Sequence, residues 1–243
     1  FGIIPALTAD RQGIQTSQRF VGRKLMVSFQ VALSVLLLSG AGLFLQTLEN
    51  LRRNDSGFIR ENLLTMKISP DPQGRSKEAL FGYYRNVAER VRQVPGVKDL
   101  SLSTVGLLAG AQWSSGIQVA GVVVPPGEPG ALRNAVGPRF FTVIGSTLIE
   151  GRDFAESDNR ADSPKVAIVN ESFARRFYGT SSALGRKIGR QPRQGFNDQP
   201  DYTIVGVVKN LRDYKISGSG DKYWYVPYEQ QDRFQSMNLN VRT

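Results

Sequence analysis

The sequence predicts an α+β fold: one membrane-spanning helix near the N-terminus, then a domain of short strands and isolated helices. Three observations carry this reading. Residues 25–48, LMVSFQVALSVLLLSGAGLFLQTL, run for 24 residues without a charge. Residues 63–105 read as strand, helix, strand. From residue 106 onward, strands and helices mix without the strict alternation of a doubly wound sheet.

As a helix the apolar run measures about 36 Å, against a hydrocarbon core of roughly 30 Å. A signal peptide's apolar region is shorter and ends in an A-x-A-like site, whereas this run ends in Gln46-Thr47-Leu48. A core helix of a soluble domain would show a charged face, and here only Ser28, Gln30, Ser34, Ser39, Gln46 and Thr47 interrupt the apolar character. Ser39, Gly40, Ala41 and Gly42 form a small-residue patch that suits close approach of another transmembrane helix, or ordinary helix tolerance of small residues. Charge does not decide the orientation. Arg11, Arg19, Arg23 and Lys24 lie before the span, and Arg52, Arg53 and Arg60 after it.

The chain carries a net charge of +10, and residues 49–243 hold 27 basic against 20 acidic residues. A basic domain beside a membrane suits anionic lipid headgroups. Nucleic acid is not expected, because the basic residues are scattered and no nucleic-acid motif accompanies them. The absence of cysteine removes disulfide and thiolate chemistry. The absence of histidine removes the usual triads, zinc sites and imidazole acid–base catalysis. The chain opens on Phe1 and stops at Thr243 in mid-pattern, as a piece of a longer protein would.

Residues 63–68 read as a strand closed by Pro70 and Pro72. The clearest helix spans 77–94, with Leu80, Tyr84, Val87, Val91 and Val94 recurring at helical spacing, Ser76 as N-cap and Pro95-Gly96 as stop. Residues 97–105 return as a strand, completing a split βαβ-like unit. Short strands follow at 116–124 and 132–136, then a short helix at 138–145 anchored by Phe140, Phe141 and Ile144. Strand 165–169 leads into a helix capped by Asn170, with Phe173, Ala174 and Phe177 facing inward and Gly179 at its end. Strands at 202–208, 223–227 and 237–241 complete the set. The stretch 191–200 reads as a loop.

The segments VGPRFFTVIGSTLIEGRDF (136–154), VAIVNESFARRF (166–177) and YTIVGVVKNLR (202–212) resemble, in that order, the periplasmic core domain of MacB-type ABC transporter permeases. This family also includes FtsX and the lipoprotein-releasing permeases. The resemblance runs from about residue 24 to 243, and residues 2–11 resemble the cytoplasmic tail of a preceding permease unit. It implies a porter-like base and an inserted sabre-like lobe. Residues 1–24 would be a cytoplasmic segment, 25–48 the transmembrane helix, and 49–105 a helix extension with the first half of the base. Residues 106–222 would be the lobe, and 223–243 strands returning to the base. A second base unit and three further helices would lie beyond residue 243. The resemblance further implies a bacterial inner membrane, an ATP-binding subunit as partner, a permease dimer or duplicated half, and a periplasmic adaptor protein. It implies no cofactor and no enzymatic activity in this chain, which would convert ATP-driven motion into export or extraction of a substrate.

The residues of these motifs read as structural. Gly151 suits a turn at positive φ after a strand at 147–150, and Arg152 with Asp153 suits a turn-locking ion pair or a partner contact. Asn170 and Glu171 suit an N-cap and a first-turn acid. Gly206 suits a bulge or a close backbone contact. The acidic run Glu150, Asp153, Glu156, Asp158 and Asp162 lacks the D-x-[DN]-x-[DN]-G calcium loop and reads as a solvated loop. The Gly218–Lys222 stretch matches no phosphate loop and reads as a hairpin tip. Residues 223–228, YWYVPY, read as core plus an edge strand, with a ligand-stacking face as the alternative. Two other functions stand beside the permease: a single-pass membrane-anchored ligand-binding or sensor protein, and an anchored hydrolase using the acidic loop.

Overall fold

The computed structural model describes residues 13–53, 57–70, 76–107, 113–125, 128, 130–191, 200–211, 221–231 and 236–243. The tail resemblance at 2–11, the prolyl strand end at 71–72, most of the 191–200 loop, Arg212 and the hairpin tip at 218–220 lie outside them. The chain divides into two compact units, residues 1–54 and 55–243.

Among its described residues the first unit is one helix, α1 (Gly13–Arg53). Its stretch Gly22–Glu49 is long and apolar enough to cross a membrane, and none of it is buried in the protein. Polar side chains inside the apolar stretch bond to their own helix. Ser34 Oγ donates to the Gln30 carbonyl (2.8 Å) and Thr47 Oγ1 to the Leu43 carbonyl (2.8 Å), so neither hydroxyl is left bare.

The second unit is built on a mixed sheet. Its elements are β1 (Leu63–Ile68), α2 (Lys77–Arg92), β2 (Asp99–Ser103), β3 (Trp113–Ser115), β4 (Ile117–Val119), β5 (Ala131–Val136), α3 (Phe140–Ile144), β6 (Leu148–Gly151), a 3-10 helix (Glu156–Asn159), β7 (Val166–Asn170), α4 (Glu171–Tyr178), β8 (Lys187–Arg190), β9 (Tyr202–Val208), β10 (Tyr223–Pro227), a second 3-10 helix (Tyr228–Gln230) and β11 (Met237–Arg242). Among the described residues the strand order is β1-β11-β2-β5-β10-β7-β9-β8-β4, with β3 on β5 and β6 on β9. The isolated apolar anchors and Gly/Pro punctuation of the sequence thus give the α+β class expected of them. Two short strands, β3 and β8, carry too few residues for periodicity to announce them.

β1, α2 and β2 form the split βαβ unit, with β11 antiparallel between the two strands. Ser76 caps α2 through its Oγ, which accepts from Ala79 N (3.2 Å). The buried face of α2 differs from the expected one by a residue. Phe81, Tyr84 and Ala88 are buried, whereas Leu80 and Val87 are half-buried and Val94 is 51% exposed. Both rows share Tyr84, and the larger aromatic at 81 takes the core side.

Met237, Leu239 and Val241 of β11 face α2. The opposite face carries Asn238 and Asn240, both buried. Asn240 accepts from Thr65 Oγ1 (3.1 Å) and donates to Ser103 Oγ (3.0 Å), while Asn238 donates to the Ser103 and Thr104 carbonyls. A buried polar stripe persists because its members satisfy one another.

β10 corrects the expected edge strand: it lies inside the sheet, parallel to β5 and antiparallel to β7, with all five residues buried. Trp224 and Val226 join the α2-side core, and Tyr223 and Tyr225 the core around Phe140, Phe141 and Phe154. Alternation into two apolar covers makes both faces aromatic, which a one-sided edge strand would not need. Pro227 is its last residue, where the strand gives way to a 3-10 turn, so the missing N–H breaks no central ladder.

Glu128, ahead of β5, is held by two cations. Glu128 accepts from Arg176 Nη2 (2.7 Å) and Nε (3.2 Å) on α4 and from Lys222 Nζ (2.5 Å). Hydrogen bonds from Arg176 and then Lys222 hold its carboxyl at about 2, against an ordinary 4.5. Its contribution is therefore full above about pH 4.5 and lost as pH falls through about 2. Glu128→Gln is expected to lower the urea midpoint at neutral pH, and the gap from the parent to shrink as pH falls across that window. A gap that stays constant would contradict the pairing.

Candidate functional site

The recognisable motifs converge on the end of β6 and the middle of β9. Gly151 has φ +79, and a Cβ there would stand 2.2 Å from the Val205 carbonyl oxygen and 2.9 Å from Gly206 Cα. The converse holds for Gly206, where a Cβ would stand 2.4 Å from the Arg152 carbonyl oxygen. Each glycine makes room for the other's strand. The register between β7 and β9 shifts here, with Ala167 opposite Ile204 and Ile168 opposite Gly206. Val205 is thus the extra residue of a bulge, and its carbonyl accepts from Arg152 N (3.0 Å).

Arg152 pairs with Asp158 rather than Asp153. Its guanidinium grips both carboxylate oxygens of Asp158, which also accepts from Ala155 N (2.8 Å). The two-pronged fit favours the residue six positions on, because Asp153 is committed elsewhere. Asp153 accepts from Thr142 N and Oγ1 (3.0 Å each) on α3 and from Phe154 N (2.7 Å). Burial pushes the Asp153 carboxyl up, and these donors oppose the rise. Burial also acts upward on Asp158, but the hydrogen bonds from Arg152 and Ala155 prevail and hold it below its ordinary value. The turn is thereby fastened to β9, to α3 and to its own 3-10 helix.

Asn170 is a second node. Its Oδ1 accepts from Phe173 N (3.0 Å), capping α4, and from Tyr223 N (2.9 Å) at the start of β10. Its Nδ2 donates to Asn210 Oδ1 (2.8 Å) and to the Asp221 carbonyl (2.8 Å). Glu171 pairs with Arg175 one turn along α4. Asn170→Ala is expected to cost about 2 kcal/mol, from the lost cap and the donors left buried. Asn170→Asp should cost at least as much, although aspartate is an equal N-cap, because the oxygen that replaces Nδ2 would then face two acceptors. Urea unfolding of both variants checks this; an unaffected Asp variant would reduce Asn170 to a simple cap.

The five acids of the supposed loop go to different partners. Glu150 accepts from Ser182 Oγ (2.5 Å), Asp162 pairs with Arg160 (3.0 Å), and Glu156 lies 3.8 Å from Arg92. Among the described residues no group of three or more acidic side chains is gathered as for a metal ion. Ser39, Gly40, Ala41 and Gly42 lie within α1, exposed, with nothing within 4 Å of where a Cβ on Gly40 or Gly42 would stand.

One feature was not visible in the sequence: a cleft of about 530 Å³ between α2, the outer side of β2 and the two 3-10 helices, lined by Arg85, Arg92, Glu156, Asn159 and Glu229 among others. Glu229 is buried and accepts from Tyr228 OH (3.0 Å) and from Arg85 Nη1 (3.4 Å). Only the i, i+7 spacing of Arg85 and Arg92 hints at it, and that spacing is commonplace on solvated helices.

With the turn and node in place, the comparisons are decisive. The model of the MacB-like periplasmic core domain matches residues 28–243. The chain belongs to the MacB-like periplasmic core domain family. The resemblance carried by segments 136–154, 166–177 and 202–212 is borne out, and those segments hold the turn, the node and the bulge. The macrolide export ATP-binding/permease protein MacB of Hahella chejuensis is 29% identical over 97 residues, which are 39% of this chain and 13% of that protein. The chain therefore matches only a small part of that relative's length. Among solved structures, the periplasmic region of MacB from Actinobacillus actinomycetemcomitans is 17% identical with a TM-score of 0.48, covering 79% of each chain. The extracellular domain of the noncanonic ABC-type transporter YknZ from Gram-positive bacteria is also 17% identical, with a TM-score of 0.45, covering 75% of this chain and 83% of that one. Within this domain the Asp153 and Asp158 carboxylates and the Asn170 amide are each engaged in hydrogen bonds that tie neighbouring elements together.

Proposed function

We propose that this chain is part of an ABC transporter permease, whose periplasmic domain is moved by ATP-driven changes arriving through α1 and couples them to export or extraction of a substrate. The match of residues 28–243 to the MacB-like periplasmic core domain carries this reading. It is supported by a helix long enough to span a membrane and by a domain whose recognisable motifs tie its elements together. Such a domain suits mechanical coupling, in which packed elements move between discrete arrangements. ATP hydrolysis would reside on a separate ATP-binding subunit or domain, and the membrane would be the bacterial inner membrane. Ser39–Gly42 would be the face on which another transmembrane helix rests, within a permease dimer or duplicated half. A periplasmic adaptor protein and anionic lipid would be further partners.

The same reading divides the domain into a base and an inserted lobe. β1, α2, β2 and β11 would be the first half of the base, and residues 106–222 the lobe. β10, hydrogen-bonded to β5 and β7, would go with the lobe. The base has an uncovered side. Leu64 and Met66 lie opposite Val241 and Leu239, on the face that α2 covers elsewhere, yet they are 60% and 53% exposed. Among the described residues β1 is also a sheet edge. A second crossover of the same hand, leaving β11 and passing over β1, would place its helix on those side chains and its strand against that edge.

The test is deletion of residues 63–243 from the native permease, expressed with its ATP-binding partner. The expected result is loss of export, with macrolides as the first probe because of the relative's name, while the partner still hydrolyses ATP. Export that survives the deletion would overturn the coupling role.

A further inference from the structure

We infer that the seam between the β1-β11-β2 group and the rest of the sheet is a hinge, clamped by two ion pairs across the 530 Å³ cleft. The inference concerns the domain's own movement and does not depend on what, if anything, is transported.

The sheet narrows at this seam. One register pair, Ser103 opposite Val136, joins β2 to β5, flanked by hydrogen bonds from Thr104 N to the Ala135 carbonyl (2.8 Å) and from Gly137 N to the Leu102 carbonyl (2.7 Å), whereas β11 meets β2 over five pairs and β10 meets β5 over five. On the α3 face the seam is closely bonded. Asn134 exchanges two hydrogen bonds with the Val105 backbone (2.9 and 3.0 Å), Arg242 Nε donates to the Val143 carbonyl (2.9 Å), and Arg139 pairs with Asp99 (2.9 Å).

On the α2 face an apolar core shared across the seam, with Phe81, Leu102, Ala135 and Trp224 among its members, closes the inner part, and the cleft lies beyond it. Phe81 meets the Tyr228 ring edge-on (5.7 Å) at the inner end of the cleft. From there outward along α2, two ion pairs among the described residues cross the gap: Arg85–Glu229 at 3.4 Å and Arg92–Glu156 at 3.8 Å. Both exceed the roughly 2.7–2.9 Å of a firm charge-assisted hydrogen bond. The outer pair is also the longer and the more exposed, at 42% and 72% of its two side chains. One side is hydrogen-bonded along the seam, and the other is packed only at its inner part and bridged further out by two long ion pairs, which makes a jaw. Its pivot is on the α3 face and its mouth is at Arg92 and Glu156. Hinges of this kind absorb motion at a few positions while the bodies either side stay rigid.

The chain has no cysteine, so nitroxide labels can be placed without background. Arg90→Cys on α2 and Ala161→Cys beyond the first 3-10 helix straddle the mouth, and both positions are exposed. Ala161→Cys with Lys187→Cys reports within the far side of the seam. Distances would be read by pulsed electron paramagnetic resonance on the full chain in lipid nanodiscs. Replacing Glu156 and Glu229 with glutamine keeps size and, at 229, an acceptor for Tyr228. The expected result is a shift of the 90–161 distance to longer values by several ångströms, with a broader distribution and an unmoved 161–187 distance. Salt at about 1 M, where the screening length falls to roughly 3 Å, should act in the same direction. A 90–161 distance unchanged by both treatments would overturn the hinge. So would a 161–187 distance that moves with it, because the movement would not then be at the seam.

Discussion

Gly151→Val is expected to cost about 4 kcal/mol, from a β-branched residue forced to positive φ and from backbone driven apart at the β6–β9 contact. A new Cβ would stand 2.2 Å from the Val205 carbonyl oxygen, 2.8 Å from Leu184 Cδ2 and 2.9 Å from Gly206 Cα; the leucine can yield, but the backbone atoms cannot without moving β9. Shifting β6 would also pull Arg152 N off Val205 and loosen the guanidinium from Asp158. Against a typical domain stability of roughly 5–15 kcal/mol, this is a large fraction. Gly121→Ala is the control. It has φ +76 but nothing within 4 Å, and should cost only about 1 kcal/mol. Urea titration by tryptophan fluorescence separates the two. Equal costs would mean that conformation alone, and not the close approach of β6 and β9, explains the glycine.

Leu64→Glu and Met66→Glu, made singly, should have opposite meanings in two proteins. In the present chain both positions are largely exposed, and each change should stay within about 0.5 kcal/mol. In the native permease, a helix covering this face would bury the introduced carboxylate, and each change should cost about 2 kcal/mol or more. The comparison is a pair of thermal midpoints for each protein. Matching, small changes in both would mean that the face stays open and would remove the second base unit from the proposed architecture.

The contrast between these residues shows what a single sequence carries. Local features were legible: Ser76 and Asn170 as caps, Phe140, Phe141 and Ile144 as anchors, and Gly151 and Gly206 as backbone positions. Each depends on a few neighbouring residues, and each is found where the pattern puts it. Partners distant in sequence were not legible. Asn170 reaches Asn210 and Asp221, 40 and 51 residues on, and no spacing rule selects them. Arg152 passes over its neighbour for Asp158 because Asp153 is held by α3, a contact that exists only once the chain has folded. The central place of β10 escaped for the same reason, since an aromatic run has no alternation to show which faces are covered. The cleft escaped altogether. It arises where β2 and β5 part company, and strand order is a property of the whole sheet.

The central claim is that residues 55–243 work outside the cytoplasm, on a helix that crosses the membrane. The most direct measurement is labelling of a single Ala161→Cys in the native permease, in intact spheroplasts, with a membrane-impermeant maleimide. The account predicts full labelling without lysis, with a cysteine placed before α1 labelled only after lysis. Labelling of Ala161→Cys only after lysis would put the domain inside the cell and contradict the account.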